Sequence, residues 1–220
     1  MTSYNDLMDQ KINKLIDSVD ILVRKIIKKV AIFLNWLSFG KLTPNSVTIL
    51  GVFLHLLVAW SIISNKLILA AILLIIFGLF DSLDGELARL QKSQSAAGAL
   101  LDATTDRFKE VILYSAIAYY FIHQNNDAFA VWAVIACGFS ISVSYVRAKG
   151  EATYFSLNKN VNKLNEIFKN GFLRFEVRML LLVIGLLINK LGWTIVIIAI
   201  LSFYTAISRL VSISSKLNND

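Results

Sequence analysis

Charge is scarce in this sequence. Only 17% of its 220 residues are Asp, Glu, Lys or Arg, against roughly 25% in soluble domains. One proline and ten glycines argue against a loop-rich β architecture. The single cysteine, Cys137, lies in an apolar run, which excludes a disulfide framework and a cysteine metal site. The two histidines, His55 and His123, stand alone and read as structural. No glycine-rich phosphate loop and no Ser/His/Asp arrangement is present.

Apolar residues are abundant. They make up 56% of the chain, with a mean hydropathy of +0.64. A bilayer-crossing helix needs about 20 mostly apolar residues. Six stretches qualify, at residues 45–64, 67–88, 97–121, 128–148, 172–189 and 192–213, divided by short polar breaks at Ser64–Lys66, Gln124–Asp127 and Asn189–Lys190. Trp36, Trp60, Trp132 and Trp193 fall near their ends and read as interfacial anchors. Before them, residues 5–40 repeat apolar positions at three and four (Leu15, Ile16, Val19, Leu22, Val23, Ile26, Ile27) among Lys11, Lys14, Arg24, Lys25, Lys28 and Lys29. That pattern predicts an amphipathic helix lying on a membrane surface, with no cleavable signal peptide. The expected organisation is an all-α integral membrane protein: an amphipathic juxtamembrane segment, 1–42, then a six-helix domain, 43–215.

The net charge of +7 fits anionic lipid in a chain this apolar, and not nucleic acid. Six spans place 20 of the 22 Lys and Arg residues on one face, leaving Lys66 and Lys190 opposite. The positive-inside rule then puts both termini in the cytoplasm.

Acids interrupt the second span late. Leu67–Phe80 is fourteen residues without a charge, a rise of about 21 Å, and Asp81, Asp84, Glu86 and Arg89 follow. The third span opens with Asp102 and Asp106. An acid pair spaced by three is ordinarily a solvated helix face. These four, however, lie just below the cytoplasmic surface, where carboxylates need partners. Asp81, Asp84, Gly85 and Ala88 share one helical face, and Gly98, Asp102 and Asp106 form a stripe on the next helix. Two such helices facing each other would gather four carboxylates, whose repulsion oxygen-seeking Mg²⁺ or Mn²⁺ would relieve. Gly85, Ala88 and Gly98 would let a substrate approach the backbone, and Arg89 could orient phosphate oxygens. A transporter with buried acids is the rival reading, but it expects acids spread through the membrane depth and an internal repeat. Here the acids sit at one level, on one side.

The run Asp81-x2-Asp84-Gly85-x2-Ala88-Arg89-x8-Gly98-x3-Asp102-x3-Asp106 resembles the signature of the CDP-alcohol phosphotransferase family, with no departure at its eight fixed positions. At residue frequencies near ~5%, chance would supply that match about once in 10⁸ trials. Thr43-Pro44-Asn45-Ser46-Val47-Thr48 resembles the start of the family's first span. The resemblance implies a surface helix plus six spans, a homodimer, and two bound ions of Mg²⁺ or Mn²⁺. It implies that the donor nucleotide lies against Asn45, Thr48, Gly85, Arg89 and Ser95, beside Ala88. It further implies that Asp81, Asp84 and Asp102 bind metal, and that Asp106 is general base and metal neighbour. The expected reaction transfers a phosphatidyl group from CDP-diacylglycerol to an acceptor hydroxyl, with CMP released.

For the acceptor, Ser144-Tyr145-Val146-Arg147-Ala148-Lys149 resembles a segment of the family's phosphatidylinositol-phosphate synthases in which the residue matched by Arg147 helps bind the acceptor's phosphate. Arg174 and Arg178 occupy the place of an arginine-rich stretch at a different spacing, so glycerol phosphate and other phosphorylated polyols stay open beside inositol phosphate. These cations could otherwise be anchors for lipid phosphates. The opposite arrangement, a CDP-choline- or CDP-ethanolamine-type donor with a lipid acceptor, is disfavoured by the basic 147–178 region, because diacylglycerol has no phosphate to bind.

Overall fold

The computed structural model describes residues 25–157 and 175–219, and all regular structure in them is helical. Helix α1 covers residues 25–37. It is followed by α2 (Pro44–Ile63), α3 (Leu67–Leu90), α4 (Ala96–His123), α5 (Asp127–Ser156), α6 (Phe175–Leu187) and α7 (Leu191–Asn219). Residues 1–24, which carry most of the expected amphipathic pattern, lie outside the described residues, and so does Arg174.

Four of these helices, α2, α3, α5 and α7, are long and apolar enough to cross a membrane. At 1.5 Å per residue, the 20 residues of α2 rise about 30 Å, the thickness of a hydrocarbon core. Helix α4 is longer, at 28 residues, but its first half carries Asp102, Asp106, Arg107, Lys109 and Glu110. Helix α6 is described over 13 residues. These two are the reason that the described helices meeting the length-and-composition criterion number four, where the sequence predicts six.

The helix ends follow a repeated rule. The breaks between α2 and α3, α4 and α5, and α6 and α7 are three residues each. Their middle residues, Asn65, Asn125 and Asn189, have φ near +55° (57°, 54° and 54°). Asparagine tolerates that left-handed conformation better than most side chains. The next amide then bonds back five residues: Lys66 to Ser61, Asn126 to Phe121 and Lys190 to Gly185, each at 2.9 Å. This is the Schellman closure of a helix C-terminus. Phe39 and Lys92 (both φ 52°) close α1 and α3 in the same way, the amides of Gly40 and Ser93 bonding back to Asn35 and Ala88.

The chain packs as two compact units. The first contains, of the described residues, 25–51 and 76–105. Its core joins Ile27 and Ala31 of α1 to Val47 of α2 and to Leu83 and Leu87 of α3, with Leu34, Leu42 and Phe80 around them. The Gln91 amide donates to Asn35 Oδ1 and to the Leu42 carbonyl, both at 2.9 Å, and ties the end of α1 to the end of α3. Helix α1 thus divides its apolar residues. Ile27 and Ala31 are buried against protein, while Ile26, Phe33, Trp36 and Leu37 remain exposed.

The second unit contains 52–75, 106–157 and 175–219 of the described residues. Here α5 packs along α7, and α6 packs on α7. Small residues set the approach, as in other helices that associate without a hydrophobic driving force. A Cβ on Gly150 would stand 2.8 Å from Ile213 Cδ1, one on Gly185 would stand 2.7 Å from Thr194 Cβ, and one on Gly192 would stand 2.5 Å from Phe129 Cδ2. Helix α5 runs two turns beyond the expected end of its span, and Tyr154 in that extension packs on Ile213 with Val146 and Leu217.

Candidate active site

The residues of the expected donor side lie in the first unit. Asp81 and Asp84 sit near the C-terminal end of α3, and Asp102 sits in the second turn of α4. Asp84 is buried, whereas Asp81 and Asp102 are half-buried. Thr48 Oγ1 donates to Asp84 Oδ2 at 2.5 Å, and the Gly85 amide lies 2.6 Å from Asp84 Oδ1. One carboxylate is thereby fixed by a hydroxyl from α2 and by its own backbone. Among the described residues no three His, Cys, Asp or Glu side chains are gathered closely enough to hold a metal ion as they stand.

Around these acids the small residues leave room. A Cβ added to Gly85 meets nothing within 4 Å. Gly98 is different, because a Cβ there would lie 3.2 Å from Ser95 Oγ and 3.4 Å from Asn45 Oδ1. The structure therefore brings Asn45, Ser95 and Gly98 together, as it does Thr48 and Asp84. The Ser95 hydroxyl accepts the Gly98 amide at 3.0 Å, helping to start α4. Ala88 is half-buried. Arg89 is exposed and forms a short ion pair with Glu86, one turn back.

Asp106 follows Asp102 by one turn of α4 and belongs to the second unit. Its Oδ1 accepts from Lys109 Nζ at 3.2 Å, and its Oδ2 lies 3.8 Å from Arg107 Nη2. Ser144 of α5 accepts from Arg107 Nη1 at 2.5 Å. Arg147 is exposed and pairs with Glu151 at 3.0 Å, one turn along α5. Arg178 is buried, and its guanidinium donates to Glu110 Oε1 from Nε at 2.9 Å and from Nη2 at 2.6 Å. Sequence reasoning did not single out Arg107, Lys109 and Glu110, which the structure pairs with Asp106 and Arg178. A signal was available, since three charges within a stretch expected to span the membrane need partners.

The described helices, four of them able to cross a membrane, carry acids at the end of α3 and the start of α4, the arrangement of a membrane protein with a polar site at one level. Residues 41–211 match the model of the CDP-alcohol phosphatidyltransferase family. The chain belongs to that family and is a transferase. It is 31% identical over 180 residues to the phosphatidylinositol phosphate synthase of Corynebacterium glutamicum, covering 78% of this chain and 77% of that one. Its fold matches the crystal structure of the Mycobacterium tuberculosis phosphatidylinositol phosphate synthase with CDP-DAG bound, at a TM-score of 0.73 and 24% identity over 86% of this chain and 94% of that one. The same protein in complex with manganese and citrate gives a TM-score of 0.72 at 25% identity, over 85% and 88%.

Proposed function

We propose that this chain transfers the phosphatidyl group of CDP-diacylglycerol to a phosphorylated polyol such as inositol phosphate and releases CMP. The observation that carries this reading is the uninterrupted eight-position motif, Asp81 through Asp106, inside the matched region. The relatives named as phosphatidylinositol phosphate synthases point to the acceptor class.

Asp81, Asp84 and Asp102 offer oxygen donors only, the ligand type that suits Mg²⁺ or Mn²⁺. The manganese complex of the tuberculosis homologue supports a divalent cation, and we assign two ions to these acids, with Asp106, one helical turn after Asp102, as the base. Bound there, the ions would neutralise the pyrophosphate and the charge developing on the departing CMP oxygen. Thr48 keeps Asp84 turned to its place. Asn45, Ser95, Gly85, Ala88 and Arg89 receive the cytidine diphosphate, with the open space over Gly85 admitting it close to the backbone. Asp106 takes the proton of the acceptor hydroxyl, whose oxygen then attacks the phosphorus that bears the lipid. Arg147, with Arg174 on the next basic segment, is assigned to the acceptor's phosphate, while Arg178 is buried against Glu110.

The proposed setting is a cell membrane crossed six times, both termini and the site on the cytoplasmic side, in a homodimer. The asymmetry of 20 of 22 cations supports that orientation. The experiment is CMP release from CDP-diacylglycerol by the purified protein against inositol phosphate, glycerol phosphate, inositol and diacylglycerol. Turnover confined to phosphorylated polyols is expected. Turnover of diacylglycerol when a CDP-choline-type donor replaces CDP-diacylglycerol in the same assay would overturn the reading.

A further inference from the structure

Glu110 is fully buried in α4, one turn beyond Asp106, and no step described above uses it. Its two oxygens have different partners. Oε1 accepts both donors of Arg178 from α6, and Oε2 accepts Arg107 Nη1 at 2.6 Å. That same Arg107 nitrogen reaches Ser144 Oγ on α5, and the other Arg107 nitrogen lies 3.8 Å from Asp106. The ring of Phe175 lies under both guanidiniums, 5.2 Å from Arg107 and 6.0 Å from Arg178. One carboxylate therefore joins α4 to α6, and through Arg107 reaches α5.

A carboxylate that only held helices together would need one arginine, and Arg178 at 1% exposure fills that role. Arg107 is placed otherwise. It is 21% exposed, beside the acid assigned as base, with Nη1 of its fork held by both Glu110 and Ser144 and Nη2 turned toward Asp106. A guanidinium immobilised before binding loses less freedom when an anion arrives.

We propose that Glu110 is a positioning residue for the acceptor: it holds the Arg107 fork next to Asp106, so that a phosphate-bearing polyol meets a preformed cation. This rests on the phosphorylated acceptor proposed above. Glu110→Gln keeps the shape, removes the charge from both ion pairs and leaves a single accepting oxygen where the carboxylate used two.

The test measures KM for inositol phosphate and for CDP-diacylglycerol in detergent, with thermal stability alongside. Glu110→Gln is expected to raise the acceptor KM by about tenfold or more, as loss of a charged hydrogen bond does. The donor KM should stay within about twofold, and Glu110→Asp should recover part of the loss. An acceptor KM that stays put while the melting temperature falls makes Glu110 a helix tie only and overturns the proposal. Equal rises in both KM values overturn it as well. Should Glu110→Gln fail to fold, Arg107→Lys carries the test, because an ammonium keeps the charge but lacks the planar fork. A raised acceptor KM then supports the proposal, and an unchanged one overturns it. Wild-type protein that turns over no phosphorylated polyol overturns the proposed function itself, whereas an active wild type with an indifferent Glu110→Gln overturns this inference alone.

Discussion

Thr48 and Asp84 stand 36 residues apart in sequence and 2.5 Å apart in space, the hydroxyl of α2 donating to the buried carboxylate of α3. A hydroxyl has one proton to give. Spent on Asp84 Oδ2, it fixes the rotamer of an acid assigned to metal. Thr48→Val keeps the shape and removes the donor. Losing a hydrogen bond to a charged group costs about 1.5–3 kcal/mol, so the Mn²⁺ concentration giving half-maximal activity should rise by roughly tenfold or more. A metal titration of both proteins decides it, and coincident curves would show that Thr48 does not organise the site.

Asp106 and Asp81 should fail differently. Asp106→Asn removes the assigned base, so turnover should stop while CDP-diacylglycerol still binds. Asp81→Asn weakens the metal set, and donor binding should fall with turnover. Donor binding measured beside CMP release separates them. Excess EDTA should silence the wild type, and full activity in EDTA refutes the metal requirement.

Gly85 offers a clean substitution. A Cβ there meets nothing within 4 Å, so Gly85→Ala should leave the melting temperature within about a degree or raise it slightly, as alanine is the better helix former. If the space belongs to the donor, its KM should rise severalfold with the acceptor KM unchanged. Unaltered donor kinetics would show that the nucleotide does not come this close to the backbone.

Arg147 separates a binding role from an anchoring one. It is exposed and pairs with Glu151 at 3.0 Å, one turn along the same helix. As an acceptor contact, Arg147→Ala should raise the acceptor KM by about ten- to a hundredfold and spare the donor KM. As a lipid anchor it should lower expression and leave both constants intact in the protein that inserts.

Gly185 tests the packing of α6 on α7. The stiff Thr194 side chain occupies the space a methyl group would need, 2.7 Å from Cβ to Cβ. Overpacking of this kind costs about 1–3 kcal/mol. Gly185→Ala should therefore lower thermal stability in detergent, and Thr194→Gly on top of it should restore much of the loss. An unchanged melting temperature would mean that the two helices are free to separate.

Much of this was readable in advance. Hydropathy located the helices because lipid demands uninterrupted apolar surface, and the expected span 67–88 became Leu67–Leu90. It misjudged the end of α5 because it marks where apolar surface stops, while the helix continues through Lys149, Gly150 and Glu151 to Ser156. The glycine there looks like a breaker and is in fact the contact for Ile213. The acids and their small neighbours were legible from spacing, since i, i+3 and i, i+4 fix a helical face whatever the tertiary structure. Partnerships across the chain were not. Nothing periodic links Glu110 to Arg178, 68 residues on, or Arg107 to Ser144, 37 residues on. The Arg178 cation read as a phosphate contact is held by Glu110 in the interior of the second unit.

The three asparagine turns bear on how the protein enters its membrane. In the six-span arrangement, Ser64–Lys66, Gln124–Asn126 and residues 188–190 are the segments carried across the bilayer during synthesis. Each is three residues long, and together they contain two charges, Lys66 and Lys190. Moving a lysine through the hydrocarbon centre is opposed by about 2.5–3.5 kcal/mol on insertion scales, which the apolar arms of each hairpin exceed easily. In that arrangement the spans would enter as three hairpins, each turn crossing with at most one charge. Lengthening a turn with charged residues should disturb biogenesis before it disturbs the assembled enzyme.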